Sequence, residues 1–236
     1  MRRFFRMLGR LLLLTLLLAA SLAAFWFGIV PQRFSPFSPL TLDAPDQWFI
    51  DPKLAALRRD PVLCQAALKT PHIEAVAIPD VPIEKGCGAV NAVKVSSAGG
   101  ARLPADRISC EMAAALALWL DYEVQPLAVA AFGKRVSSVQ QLGTYSCRNI
   151  VGNAIWKDFR SQHATANAID IAGFTLEDGR QISVLRNWSK SGAESRFLRD
   201  VHGRACRYFR VVLGPEFNAS HQDHFHFDRG FLWTCK

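Results

Sequence analysis

The residues best suited to chemistry lie in His221–Asp228, which reads His-Gln-Asp-His-Phe-His-Phe-Asp. From Asp223 onward polar and apolar residues alternate, so an extended chain puts His224, His226 and Asp228 on one face and Phe225 and Phe227 on the other. Three of the six histidines of the protein fall in this stretch. A fourth, His163, precedes a second alternating run, in which Ala168, Asp170 and Ala172 share one face and Ile169 and Ile171 the other. Side by side, two such strands aim His163, Asp170 and His226 at one point.

A catalytic zinc site takes three ligands from histidine and carboxylate and leaves a fourth position to water. His163, Asp170 and His226 form such a set, so Zn2+ is the expected cofactor, acting by acidifying a water and polarising a carbonyl. His224, two residues before a ligand on the same face, is placed to take a proton or to stabilise a tetrahedral intermediate. His221 is a candidate for the second role from the loop side, and Asp228 or Asp223 for orienting one of the imidazoles. A lone His-x-His is also common on the polar face of an exposed sheet. The His-x6-Asp on a second alternating strand moves the reading toward metal.

The N-terminus reads as an export or anchoring signal. Residues 1–10 form a basic tail containing Arg2, Arg3, Arg6 and Arg10, and residues 11–30 are uncharged and long enough, at roughly 30 Å, to cross a bilayer. The expectation is an uncleaved anchor in the cell inner membrane, with the arginines cytoplasmic and the rest periplasmic, although Ala19–Ala24 offers small residues to a signal peptidase. Residues 31–41 are a proline-rich tether, and a single domain fills 42–236. The net charge of +8 is partly that of the tail. Without lysine and arginine runs or interleaved aromatics, no nucleic-acid partner is expected.

The six cysteines contain no Cys-x-x-Cys pair and read as three disulfides. Proximity in the chain suggests Cys64–Cys87, Cys110–Cys147 and Cys206–Cys235. Helices are expected at 52–59, 61–68, 108–122 and 191–206, the third apolar nearly all round and therefore buried. Short strands and turns are expected over 72–102, and strands over 128–136, 167–174, 181–188 and 208–213, with Asp178-Gly179 turning a hairpin. The fold class is α+β, a small antiparallel sheet packed by helices, with one N-terminal transmembrane helix. His72 and His202 read as solvated residues. Arg148, beside a cysteine that is expected to be bridged, is either a substrate clamp or a surface cation, the second being the plainer reading.

Ser161-x-His163-x-x-Ala-x-Ala168-x-Asp170, followed by His221-x-Asp-His224-x-His226, resembles the signature of zinc peptidases that include lysostaphin-type endopeptidases, D-Ala-D-Ala peptidases and murein endopeptidases. From about Cys64 to Cys235, with Tyr145-x-Cys147-Arg148, Phe197-Leu198-Arg199, Cys206 and Asn218-x-x-His221, the chain resembles the bacterial extensin-like C-terminal domain family. The resemblance implies an α+β domain, zinc on His163, Asp170 and His226, His224 as catalytic base, and Arg148 as a substrate or oxyanion contact. Ala166 departs from it, because the peptidase pattern has glycine there. An added methyl would reshape the loop beside the metal.

The function expected on these grounds is zinc-dependent hydrolysis of amide bonds in peptidoglycan, the expected partner. The alternative is a wall-binding or scaffolding module that keeps a zinc site without turnover.

Overall fold

The computed structural model describes residues 2–152 and 155–236. Helix α1 (Arg2–Trp26) is 25 residues long, and its apolar stretch, with mean hydropathy 2.1, is long enough to cross a membrane. It takes in the arginine tail and ends before Phe27. The segment after it does not stand free. Residues 32–34 form a 3-10 turn, the Phe34 ring lies 5.2 Å from that of Trp48, and Arg33 Nη1 is 3.3 Å from Asp46 Oδ2. Leu40, within the expected tether, and Leu42 are both buried in the core.

Two short helices follow, α2 (Ile50–Leu57) and α3 (Pro61–Leu68), the second capped by the Asp60 carboxylate, which accepts from the Val62 and Leu63 amides. The strands β1 (Ile73–Ala77), β2 (Val81–Glu84), β3 (Cys87–Ala89), β4 (Ala92–Ala98) and β5 (Ala101–Ser109) come next. Ser109 caps α4 (Cys110–Trp119) by accepting from the Met112 amide. Every residue of α4 is buried, as a helix apolar on all sides must be.

The strand expected over 128–136 is instead the helix α5 (Gln125–Phe132), reached from α4 through a π turn at Leu120–Val124 and ended by left-handed Gly133. Pro126 has no N–H to give a continuous α-helix, and the π turn absorbs that defect without breaking the rod. The strand β6 (Val136–Gly143) starts where the expected one ends. Farther on lie β7 (Ala168–Leu176) and β8 (Gln181–Ser183). The expected strand 181–188 stops at Ser183, whose hydroxyl accepts from the Arg186 amide and starts the one-turn helix α6 (Val184–Asn187). The amphipathic α7 (Ala193–Ala205), β9 (Val211–Leu213), β10 (Phe225–Asp228) and β11 (Thr234–Cys235) complete the chain. β9 is shorter than expected because Tyr208 and Phe209 still bond back to Ala205 in the turn that ends α7.

Nine strands form one sheet in the order β1-β4-β5-β6-β7-β10-β9-β11, with β8 beside β7, while β2 and β3 make a separate hairpin. Pairing is antiparallel except at β5–β6 and β9–β11. One face carries the helices. Trp119 of α4 packs on Phe174, Phe209 and Phe227, and its indole N–H donates to the Val201 carbonyl of α7 at 2.9 Å.

Two of the three disulfides differ from those expected. Cys64 pairs with Cys110 and Cys87 with Cys147, while Cys206–Cys235 forms as expected. The reason is packing: α3 lies along α4, and the β2–β3 hairpin folds over to the loop after β6. His72 is also not solvated, since its ring bonds Asp121 Oδ2 at 2.5 Å and Asp43 Oδ1 at 3.1 Å. His202 is buried against Phe225, with ring centroids 4.9 Å apart, on the back of β10.

Candidate metal centre

β10 and β7 pair antiparallel with His226 directly opposite Asp170. Phe225 and Phe227 are fully buried on the helical side, so alternation turns His226 to the opposite face. His163 arrives from the 3-10 turn Gln162–Thr165, whose cap Ser161 accepts from the His163 amide at 3.3 Å. Three donor atoms meet there. His163 Nε2 is 3.2 Å from Asp170 Oδ1 and 3.2 Å from His226 Nδ1, which is itself 2.9 Å from Asp170 Oδ1.

The donor set fits a zinc ion. Bond lengths of about 2.0–2.1 Å imply tetrahedral edges of roughly 3.3 Å, close to these separations. Two imidazole nitrogens and a carboxylate oxygen at such distances need a shared proton or cation between them. His226 Nε2 is meanwhile 3.1 Å from Asp228 Oδ2, so that carboxylate holds a proton on Nε2 and Nδ1 is the nitrogen turned to the shared point. Asp228 is held in turn by the Gly230 amide, 2.8 Å from Oδ1.

The charges agree with that geometry. Burial alone would raise the Asp170 carboxyl, but hydrogen bonds from His163 and His226 hold it well below the usual carboxylate range. Burial opposes charge on His226 as well, yet Asp170 and Asp228 push its pKa up to about 9. Without an ion the enclosed carboxylates are balanced by a proton on the imidazoles, which a bound metal would displace.

The remaining candidates line the cleft above it, a space of about 310 Å³ between residues 148–151, 156–162, β9, β10 and the C-terminal segment. His224 Nε2 lies 3.6 Å from Asp170 Oδ1, while its Nδ1 is 2.7 Å from Asp223 Oδ1. His221 packs 5.4 Å from the His224 ring and 5.9 Å from that of His226. Its Nδ1 is 2.7 Å from Asn218 Oδ1, an oxygen that also accepts from the Ser220 amide, so the ring donates at Nδ1 and keeps a lone pair at Nε2. Burial, with His226 and His224 nearby, lowers the His221 pKa to about 4.

Arg148 lines the same cleft and pairs with no carboxylate among the described residues. The Cys87–Cys147 disulfide and the bond from the Ser146 amide to the His163 carbonyl, 3.1 Å, hold its loop beside the turn that carries His163. Arg160 braces the same loop through Lys85 O and Asn149 Oδ1. Asn218 is the orienting residue that side-chain chemistry alone did not single out. Its sequence signal is that of a cap, three residues before His221.

Ala166 has φ +53°, the left-handed region where glycine is easiest, which gives a backbone reason for the glycine of the peptidase pattern. Its methyl is fully buried in a small cluster with Ala89 and Ala92. It ends the turn that carries His163, its amide donating to the His163 carbonyl at 3.1 Å, and its side chain is not among those lining the cleft.

No curated protein and no solved structure matches the chain. Residues 62–236 match the family described as Extensin-like protein C-terminus, and with most of its length covered the chain belongs to that family.

Proposed function

We propose that the protein is a zinc-dependent hydrolase that cleaves peptide amide bonds of peptidoglycan at the outer face of the cytoplasmic membrane. The observation that carries the proposal is the triangle of His163, Asp170 and His226 donor atoms at the floor of a cleft. A bound zinc ion would supply carbonyl polarisation and an acidified water. The chain's own residues account for the rest.

His163, Asp170 and His226 bind the ion, and Asp228 holds His226 in the ligating tautomer. His224 donates at Nδ1 to Asp223 and so accepts a proton at Nε2, beside the site, with the Asp223 carboxylate stabilising the imidazolium that results. It then returns that proton to the leaving amine. His221, donating at Nδ1 to Asn218, keeps an acceptor and no proton at Nε2, which leaves Arg148 as the positive charge for a developing oxyanion or a substrate carboxylate.

Charge supports the substrate class. Arg148, Arg160 and Lys236 line the cleft, whereas its carboxylates Asp170 and Asp228 are both engaged by imidazoles, so an anionic peptide is favoured. The apolar α1 behind four arginines and the three disulfides support a membrane-anchored domain in an oxidising compartment.

The test is incubation of the full chain, in detergent and with zinc, with purified sacculi, followed by mass spectrometry of released peptides. New peptide ends that disappear in His226→Ala are the expected result. Retention on sacculi without new ends would replace hydrolysis by a non-catalytic wall-binding role.

A further inference from the structure

Behind the metal-facing strand lies a charge network that no step above uses. Arg229, next to Asp228, is almost fully buried. Its Nε donates to Glu111 Oε1 at 2.7 Å, its Nη1 to the Tyr208 carbonyl, and its Nη2 to Asp51 Oδ1 at 2.8 Å. Arg210 grips the same Asp51 with both prongs, Nε to Oδ1 and Nη2 to Oδ2, each at 2.9 Å. It also donates through Nη1 to the Gly230 carbonyl at 2.9 Å and through its backbone amide to the Asp228 carbonyl at 3.0 Å. Residues 228–230 are thus held from three sides. They carry the Asp228 carboxylate that fixes His226.

Asp51 is the joint of this network. Two guanidinium groups share its Oδ1, and Glu111 cannot replace it: Glu111 touches only Arg229, its Oε2 has no partner, and burial raises its pKa. Without Asp51, the buried Arg229 and the half-buried Arg210 face each other with one carboxylate, Glu111, between them and no shared acceptor. Asp51 also sits on α2, ahead of residue 62, where the family match begins. Helix α2 follows directly from the segment that leads back to α1.

We propose that Asp51 is a positioning residue for the metal centre: through Arg210 and Arg229 it locks the 228–230 turn, and through Asp228 it locks His226. The helix that joins the anchor segment to the domain therefore completes a site whose ligands all lie in the family-matched part. This inference rests on the metal reading above for its consequence, but the locking itself can be read without metal.

The experiment uses the full chain in detergent. In metal-free Asp51→Asn, amide hydrogen exchange at Arg229 and Gly230 should rise at least about tenfold, and zinc affinity should fall about tenfold, the usual scale for loss of an outer support. Arg210→Lys keeps the charge but loses the two-pronged grip, and it should show both effects if Asp51→Asn does not fold. Asp121→Asn, which removes the carboxylate facing His72 and Arg135 at a distance from the turn, should cost stability without either effect. Unchanged exchange at Arg229 and Gly230 in folded Asp51→Asn or Arg210→Lys would overturn the proposal, as would loosened exchange with unchanged zinc affinity. If the wild-type chain takes up no zinc, the metal reading fails by itself, and the exchange measurement alone decides whether Asp51 locks the turn.

Discussion

Two histidines sit on opposite faces of β10, both shielded from water, and they have been driven in opposite directions. His226, in front, lies between Asp170 and Asp228, and although burial pulls its pKa down, those carboxylates raise it to about 9. His202, behind, lies against Trp188, Phe225 and Phe227, and burial lowers it to about 4, with the Leu213 carbonyl offsetting only part. Burial by itself neutralises an imidazole. A site that attracts cations needs acids enclosed in the same space. One strand separates the two environments because its alternation sends Phe225 and Phe227 backward and His226 forward.

The sharpest way to break this comparison is to remove each ring. His226→Ala should weaken zinc binding on the order of 100-fold or more, since it deletes a ligand, whereas His202→Leu should leave metal stoichiometry intact. Elemental analysis of the two purified variants checks this. Equal loss of metal would mean that the two faces are not distinct.

The next effect is one of stability against pH. The folded pKa of His202 lies below its ordinary value of 6.5, so the unfolded chain takes the proton first. Stability attached to this ring is complete above about pH 6.5 and falls as pH drops toward 4, by at most about 3 kcal/mol. Thermal melts of the wild type and His202→Leu across that window should differ in slope, the variant being flatter. Parallel curves would show that His202 carries no such penalty.

Asp228→Asn tests the front face more gently. The amide can still meet His226 but no longer favours its charge or its ligating tautomer, so zinc affinity should fall by about 10- to 100-fold with the fold retained. Isothermal titration of zinc into the variant measures it. The smallest expected effect is that of Ala166→Gly. Relief of a left-handed alanine, about 1 kcal/mol, is set against the loss of a buried methyl, about 0.8 kcal/mol. Chemical denaturation should therefore move by less than about 1 kcal/mol, and zinc affinity should not change. A large change in affinity would show that the loop, and not the ligands alone, shapes the site.

Much of the site was legible in the chain because strand alternation is a local property. Asp170 and His226 each stand in a run whose apolar partners, Ile169 and Ile171 or Phe225 and Phe227, must go inward, and this settles which way the polar residues face. The buried helix α4 and the Asp178-Gly179 turn were legible for the same reason. The disulfides were not, because Cys64 meets Cys110 only once α3 lies against α4, and spacing in sequence says nothing of that contact. The helix α5 stands where a strand was expected, and only the neighbouring π turn shows how the rod continues past Pro126. His72 follows a proline with no polar partner nearby in sequence and His202 stands among charged residues, so both read as solvated, while their neighbours in space are Asp121 and Phe225.

The sequence by itself determined the face of each strand, the donor types available for a metal and the presence of an apolar N-terminal span, all of which follow from periodicity and side-chain chemistry within a few residues. Tertiary structure alone decided the register that sets His226 opposite Asp170, the arrival of His163 from a separate turn, and the hold of Asp51 on Arg229. Those depend on contacts between residues far apart in the chain, whose cost in loop closure and gain in burial are settled only by the whole packed domain.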